Sequence, residues 1–422
     1  MKKTILLTLL LFISILAFSQ DLEFARKVVD TLCSPGMYGR GYGRQGDSIA
    51  AEYLSGKLKE YNIEPFTDSY FQKFFINVST FPENITVSID NKQLRAGKDF
   101  VILPLAAPCK GTFDLSYVTE KDMSSEKKFK KFLNKYSPSS FIVFDKSLIT
   151  KKVQEEVFPA FYGNFRGNGV IYLEDKDTLQ HNIQGRGQAF PIMVANKKLF
   201  SERPKIINVD IYAETHKHYP AKNIAGYIEG KTDTFIMFTA HYDHLGMLGT
   251  EAYIAGADDN ASGCAYLLNL AKHYSSLEEK PHYSIGFIFF SAEEIGLKGS
   301  KYYVRHPLFP LEKIRFLINL DIVGAGEKGI MVTNGTVFKE EFALIDSIAK
   351  AKGYFEAVHK RGPAAFSDHH PFYEKGVRAV FIYTEGKPGG HHHIYDTPEN
   401  LSFLVYNELF KLLIDIVEEI SH

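Results

Sequence analysis

Histidines and carboxylates stand close together at five places in the second half of this chain: His241-Tyr-Asp243, Gly256-Ala-Asp-Asp-Asn-Ala-Ser-Gly263, Glu293-Glu294, Asp321, and His391-His-His393 followed by Asp396. Each has an ordinary structural explanation when taken alone. A His-x-Asp pair steadies a turn, adjacent glutamates sit in solvated loops, and an aspartate caps a helix. Brought to one place they need another explanation, because several carboxylates at one edge repel each other unless cations are bound there. Imidazole with carboxylate and no thiolate suits zinc, with cobalt or manganese as the other candidates. Two ions about 3.5–4 Å apart need one ligand with two oxygens between them, while each takes one further His and one further carboxylate. Two His and three carboxylates meet that inventory. Together with two dications they leave one net positive charge, which favours ionisation of a water held there.

The elements that must position these residues are strands. Phe235 to Ala240, Ser284 to Phe290, Phe316 to Leu320 and Arg378 to Tyr383 are apolar runs of strand length, and each ends shortly before one of the polar stretches. Helical patterns fill Ser262 to Tyr274, Lys339 to Lys352 and Tyr406 to Ile420, with Ser262 placed to cap the first of them. This alternation predicts an α/β fold with a mainly parallel sheet and helices on both faces. In such sheets ligands bind beyond the carboxyl ends of the strands. Upstream, Ile49, Ala50, Tyr53, Leu54, Leu58 and Tyr61 recur at helical spacing and predict an amphipathic helix. No strand leads into the glycine-rich loop before it, Gly36 to Gly43, so its spacing does not make a nucleotide fingerprint. From about residue 80 the texture changes to short alternating runs, Ile85 to Ile89, Phe100 to Leu103, Phe141 to Phe144 and Val170 to Leu173. That reads as a strand-rich unit, with Glu126 to Lys131 as a solvated helix face inside it.

The set Ala240-His-Tyr-Asp243, Gly256 to Gly263, Ser291-Ala-Glu-Glu-Ile-Gly-Leu-Lys-Gly-Ser300, Asn319-Leu-Asp-Ile-Val-Gly324 and His392 with Asp396-Thr-Pro-Glu-Asn-Leu401 closely resembles the co-catalytic di-zinc aminopeptidase family. Glutamate carboxypeptidase, glutaminyl cyclase and the transferrin receptor are wider relatives of that family. The resemblance covers about residues 31–75 and 221–420, and it implies the zinc-exopeptidase fold. It implies two Zn2+ per chain: His241 and Asp321 on one, Glu294 and His392 on the other, and Asp259 between them. The choice of Asp259 over Asp258 follows the small-residue run after it, and that of His392 over its neighbours follows its place four residues before Asp396. Glu293 would be the general base acting on a metal-activated water. Asp243 would accept a hydrogen bond from the non-ligating nitrogen of His241. The division expected is 20–80 and 219–422 for the zinc peptidase domain and 81–218 for an inserted unit like the protease-associated domain of many relatives, to which Phe190-Pro-Ile-Met-Val194 conforms. The Ser367-Asp-His-His370 stretch resembles a family segment near the substrate, without an assigned role.

Composition limits the alternatives. The 422 residues are 45% hydrophobic and 23% charged, with 49 basic against 50 acidic side chains, so disorder is excluded as a main theme and no electrostatic footprint for nucleic acid exists. Lys2 and Lys3, the apolar run Ile5 to Phe18, and Ala17 and Ser19 before Gln20 form a secretory signal over 1–19, too short for the roughly 20 residues of a spanning helix. The expectation is a secreted or periplasmic protein with no stable membrane anchor after cleavage. Cys33, Cys109 and Cys264 imply no disulfide framework, although Cys33 and Cys109 could pair. The expected activity is removal of residues from the amino end of peptide substrates. A carboxypeptidase or a glutaminyl cyclase on the same fold is the alternative enzyme, and a non-catalytic binding protein the alternative class. Arg361 and Lys387 are the basic candidates around the motifs for meeting a substrate carboxylate.

Overall fold

The strands Phe235–His241 and Ser284–Phe290 are buried along their whole length, as unbroken apolar runs require when both faces of a sheet are covered. The computed structural model describes residues 22–103, 107–156, 165, 167–183, 190–386 and 391–421, so the leader expected over 1–19 and Lys387 lie outside the described residues. These two strands lie parallel in a nine-stranded sheet, with Ile314–Leu320 and then Ala379–Glu385 continuing the parallel centre. The flanks are antiparallel. Glu214–Ile228 runs against Ser284–Phe290, and Gly329–Thr333 runs against Ala379–Glu385. Only eight residues separate Leu320 from Gly329, fewer than a helical crossover needs, so the chain returns in the opposite direction.

Side chains alternate between two cores across this sheet. Ile236, Phe238 and Ala240 face one layer with Phe287, Phe316, Ile318 and Ile382, where helices Gly46–Glu60, Gly263–Ser275, Lys339–Lys352 and Tyr406–Ile420 pack. Phe235, Met237, Ile288, Phe290 and Leu317 face the other, against Tyr303 and Phe372 of the shorter helices Lys298–Tyr303 and His369–Glu374. Each fully buried Phe, Ile or Leu contributes roughly 1.5–3 kcal/mol, which fixes the strands so that their carboxyl ends form one rigid edge.

Residues 85–211 supply a second sheet of eight strands. Its centre, Cys109–Tyr117, Ser140–Asp145, Gly169–Glu174 and Ile192–Asn196, is parallel, and helix Glu126–Leu133 buries Phe129 and Leu133 against it. The unit is therefore α/β in its own right, because the charged run 126–131 alternates with apolar positions at helical spacing. A long antiparallel ribbon, Phe71–Thr80 with Glu214–Ile228, carries the chain out to it and back. All three cysteines are free thiols: Cys33 and Cys264 are buried and Cys109 is half-buried.

The glycine-rich loop serves a different end from phosphate binding. Gly39 and Gly41 press on the backbone at Gly246, where a Cβ on Gly41 would stand 2.4 Å from the Gly246 Cα. That approach sends the Arg40 side chain into the interior, fully buried. Its guanidinium donates to the main-chain carbonyls of Tyr242 at 2.8 Å, Ala255 at 2.6 Å and Gly256 at 2.7 Å, and reaches those of Leu32 and Asp259 at 3.2 and 3.3 Å. One cation thus ties the turn after His241 to the loop that contains Asp259. Removing it strands several buried carbonyls at about 1–3 kcal/mol each. Arg40→Met is expected to lower the unfolding free energy by about 3 kcal/mol or more, read from the urea midpoint at unchanged slope; a loss under about 1 kcal/mol would mean that water replaces the guanidinium.

Candidate metal centre

Strand ends bring the polar stretches to one place. His241 is the last residue of Phe235–His241, Asp321 follows Ile314–Leu320 directly, and Glu293 and Glu294 lie just past Ser284–Phe290. The loop holding His391–His393 follows Ala379–Glu385, and Asp259 lies in the irregular turn Ala257–Ser262 that enters helix Gly263–Ser275. That turn is held from several sides. Asp396 accepts the main-chain N–H groups of Asp258 at 2.7 Å and Asp259 at 3.1 Å, and Asp258 accepts that of Gly324 at 2.8 Å. The expected cap is supplied by a different residue: Asn260 Oδ1 accepts the N–H of Gly263 at 2.9 Å, while the Ser262 hydroxyl donates back to the Asp258 carbonyl at 2.7 Å.

The two oxygens of Asp259 face different imidazoles. Oδ1 is 3.2 Å from His241 Nε2, which also lies 3.3 Å from Asp321 Oδ1. Oδ2 is 3.2 Å from His392 Nε2, which lies 3.0 Å from Glu294 Oε2. Donor atoms on a tetrahedral zinc with bonds of 2.0–2.1 Å stand about 3.3 Å apart, so both sets have the spacing of co-ligands. The donor chemistry, imidazole nitrogen and carboxylate oxygen with no sulfur, fits the same ion. His391 and His393 stay out of this geometry; His393 Nδ1 instead accepts the N–H of Tyr395 at 3.1 Å.

A residue that sequence reasoning passed over stands beside the second set. His241, Asp259 and Asp321 form one group able to hold a metal, and His244, Asp259 and Glu294 form another. His244 Nδ1 is only 2.6 Å from Glu294 Oε1, a hydrogen-bond distance shorter than two ligands of one tetrahedral ion would keep. We therefore take His392 as the metal-facing ring and His244 as the donor that orients Glu294. Its place directly after Asp243 was the available signal. Ser367 also gains a role. Its hydroxyl donates to Asp321 Oδ2 at 2.7 Å and accepts from Asn319 Nδ2 at 2.8 Å, and Asn319 Oδ1 accepts from Thr239 at 2.8 Å.

Asp243 departs from expectation. The His241 Nδ1–H donates to the main-chain oxygen of Asp243 at 3.1 Å, and the carboxylate stands off at 3.8 Å. That carboxylate is drawn elsewhere, by the Tyr42 hydroxyl at 2.9 Å and the N–H of Glu293 at 3.1 Å. It still fixes the tautomer of His241, through its backbone, while its carboxylate holds the N–H of Glu293. Arg361 ends the strand Val358–Arg361, with its guanidinium 3.2 Å from the Tyr383 hydroxyl and stacked on the Phe366 ring.

The electrostatics of the edge calls for positive charge. Burial opposes a charged His241, yet Asp321, Glu293 and the hydrogen-bonding carboxylate of Asp259 carry it well above the usual histidine value. Burial likewise opposes His392, and Glu294 and Asp259 raise it to about 11. Glu294 is held at about 2 despite burial and Asp259, by His392 and His244. Glu293 moves the other way. Burial, with Glu294, Asp321 and Asp368 against the opposing His241, pushes its carboxyl well above the ordinary range.

Residues 223–417 match the family described as Peptidase family M28. Aminopeptidase YwaD of Bacillus subtilis (strain 168) is 28% identical over 243 residues, 55% of this chain and 51% of that protein. Leupeptin-inactivating enzyme 1 of Streptomyces exfoliatus is 31% identical over 160 residues, 36% of this chain and 33% of that protein. The chain thus spans about half or less of the length of these curated relatives. Among solved structures, BSAP, a zinc aminopeptidase from Bacillus subtilis, superposes with a TM-score of 0.69 at 20% identity over 94% of each chain. An aminopeptidase from Aneurinibacillus sp. strain AM-1 does so at 0.63 and 20%, over 94% of this chain and 92% of that one. At these identities the likeness is one of fold.

Proposed function

Starting from a chain whose residues 223–417 match peptidase family M28, we propose that it is an exported zinc aminopeptidase with two zinc ions per chain. Its substrates are peptides, shortened from the amino end outside the cytoplasm or in the periplasm. The observation that carries this reading is the pair of donor sets sharing Asp259, each with the 3.0–3.3 Å spacing of zinc ligands. His241 and Asp321 would hold one ion, Glu294 and His392 the other, and Asp259 both. When bound, the ions supply Lewis acidity and lower the pKa of water at neutral pH. Glu293 is the group left over: it is adjacent to a ligand, fixed through its N–H on Asp243, and its carboxyl is raised above the ordinary range by burial and like charge. In this role it removes a proton from the attacking water and delivers it to the leaving amine. Export is supported by the charged and apolar pattern of residues 1–19.

Which end of the peptide is cut depends on what meets the substrate terminus. Carboxylates crowd the metal edge and favour an ammonium, whereas the placed basic group, Arg361, is engaged with Tyr383 and Phe366. Acetylating a test peptide at its amino end is expected to abolish cleavage, while amidating its carboxyl end should change the rate by less than about tenfold, or about 1.4 kcal/mol. The reverse pattern would make the enzyme a carboxypeptidase. Loss of ammonia from an N-terminal glutamine without shortening would make it a cyclase.

Two further outcomes separate metal binding from proton transfer. Elemental analysis should find two zinc ions, with His241→Ala weakening mainly one and Asp259→Asn weakening both; one tightly held ion in fully active protein would contradict this. Glu293→Gln should keep the zinc content and lose roughly 10²–10⁴ in turnover. Near-normal kcat in that variant with its zinc intact would exclude Glu293 as the base.

A further inference from the structure

His392 lacks the support that His241 enjoys. His241 closes a central strand, whereas His392 lies in an irregular loop with φ of +64°. Apart from the Nε2 contacts with Asp259 and Glu294, two hydrogen-bond contacts among the described residues reach it from the unit formed by residues 85–211. The N–H of His181 donates to the His392 carbonyl at 2.7 Å, and Asn182 Oδ1 stands 2.9 Å from His392 Nδ1. Because Nε2 faces Asp259 and Glu294, Nδ1 carries the proton, and the amide oxygen of Asn182 is its acceptor.

Residues 181–183 are built to present that acceptor. The rings and chains on either side point inward: His181 is buried beside Phe81, and Ile183 is buried in a cluster with Tyr42, Val78 and Leu245, on which Ile394 packs. Asn182 alternates to the exposed side and meets His392 there. The same loop is gripped a second time. A Cβ on Gly97 would come within 2.5 Å of Ile394 Cγ2, so the inserted unit and the histidine loop are in close contact two residues further on.

We propose that the inserted unit completes the second metal position, with Asn182 as a positioning residue that fixes the tautomer and ring orientation of His392. The acceptor for His241 belongs to the peptidase fold itself, at Asp243; the acceptor for His392 is delivered from a separate sheet. Occupancy of the second position and the seating of residues 181–183 are then thermodynamically linked, so that anything which lifts this segment weakens one ion and spares the other. The inference rests on the reading of His392 as a ligand.

The test uses full-length metal-free protein and zinc alone, with both dissociation constants measured by competition against a chromophoric chelator. Asn182→Leu is expected to weaken one site by about 10–100-fold, leave the other within about threefold, and be restored by Asn182→Asp, which keeps an acceptor oxygen. The melting temperature of metal-free protein should be the same in all three. If His392→Ala loses one zinc while Asn182→Leu binds as the unaltered protein does, the role of Asn182 is overturned and the metal assignment stands. If His392→Ala changes neither constant, the ligand assignment itself fails, and the inference with it. Equal weakening of both sites together with a lower metal-free melting temperature would reduce Asn182 to a general structural contact and overturn the proposal.

Discussion

Asp259 offers one carboxylate oxygen to each of two imidazoles, and it does so from a buried turn with Glu294 and Asp321 close by. Such a concentration of like charge in a poorly solvated edge is strongly unfavourable unless positive charge is placed between the oxygens. The rest of this edge can be understood as the means of keeping these groups together against that repulsion. Arg40 supplies a fixed cation behind the Asp259 turn, directed at main-chain carbonyls and so holding the backbone without neutralising the carboxylate. Asp396 holds the same turn from its N–H side.

Hydrogen bonds from neighbouring side chains link the parts of this edge. Tyr42, Asp243 and the backbone of Glu293 form one chain of hydrogen bonds, so the turn that follows His241 and the turn that bears the proposed base are positioned by one carboxylate. Thr239, Asn319 and Ser367 form another that ends on Asp321. His244 holds the free oxygen of Glu294. Each carboxylate proposed as a ligand thus has its other oxygen or its backbone engaged, which preserves the donor spacing without any movement of the strands.

The inserted sheet changes what kind of object this site is. Four of the five proposed metal ligands are positioned by the parallel sheet or by the helix-entry turn beside it. The fifth, His392, sits in a loop whose side chain and carbonyl are both secured by residues 181 and 182. A unit that by topology reads as an appendage on a two-stranded ribbon therefore reaches into the polar centre.

The sequence alone determined the elements and most of the site, for a local reason. Helices Lys339–Lys352 and Tyr406–Ile420 and strand Ser284–Phe290 begin and end where their apolar periodicity does, because burial on a fixed face leaves its mark residue by residue. His241, Glu294 and Asp321 were legible as candidates because each lies at or just past the end of such a run, and strand polarity sends those ends to one side, while Asp259 was marked by the small-residue run that enters the next helix. What tertiary structure decided was every relation between side chains far apart in the chain. That the carbonyl of Asp243 and not its carboxylate meets His241 depends on Tyr42, two hundred residues away. That His244 holds Glu294 at hydrogen-bond distance, that Ser367 supports Asp321, and that Asn182 faces His392 leave no periodicity or spacing behind, since a hydrogen bond between two loops constrains two residues and nothing between them.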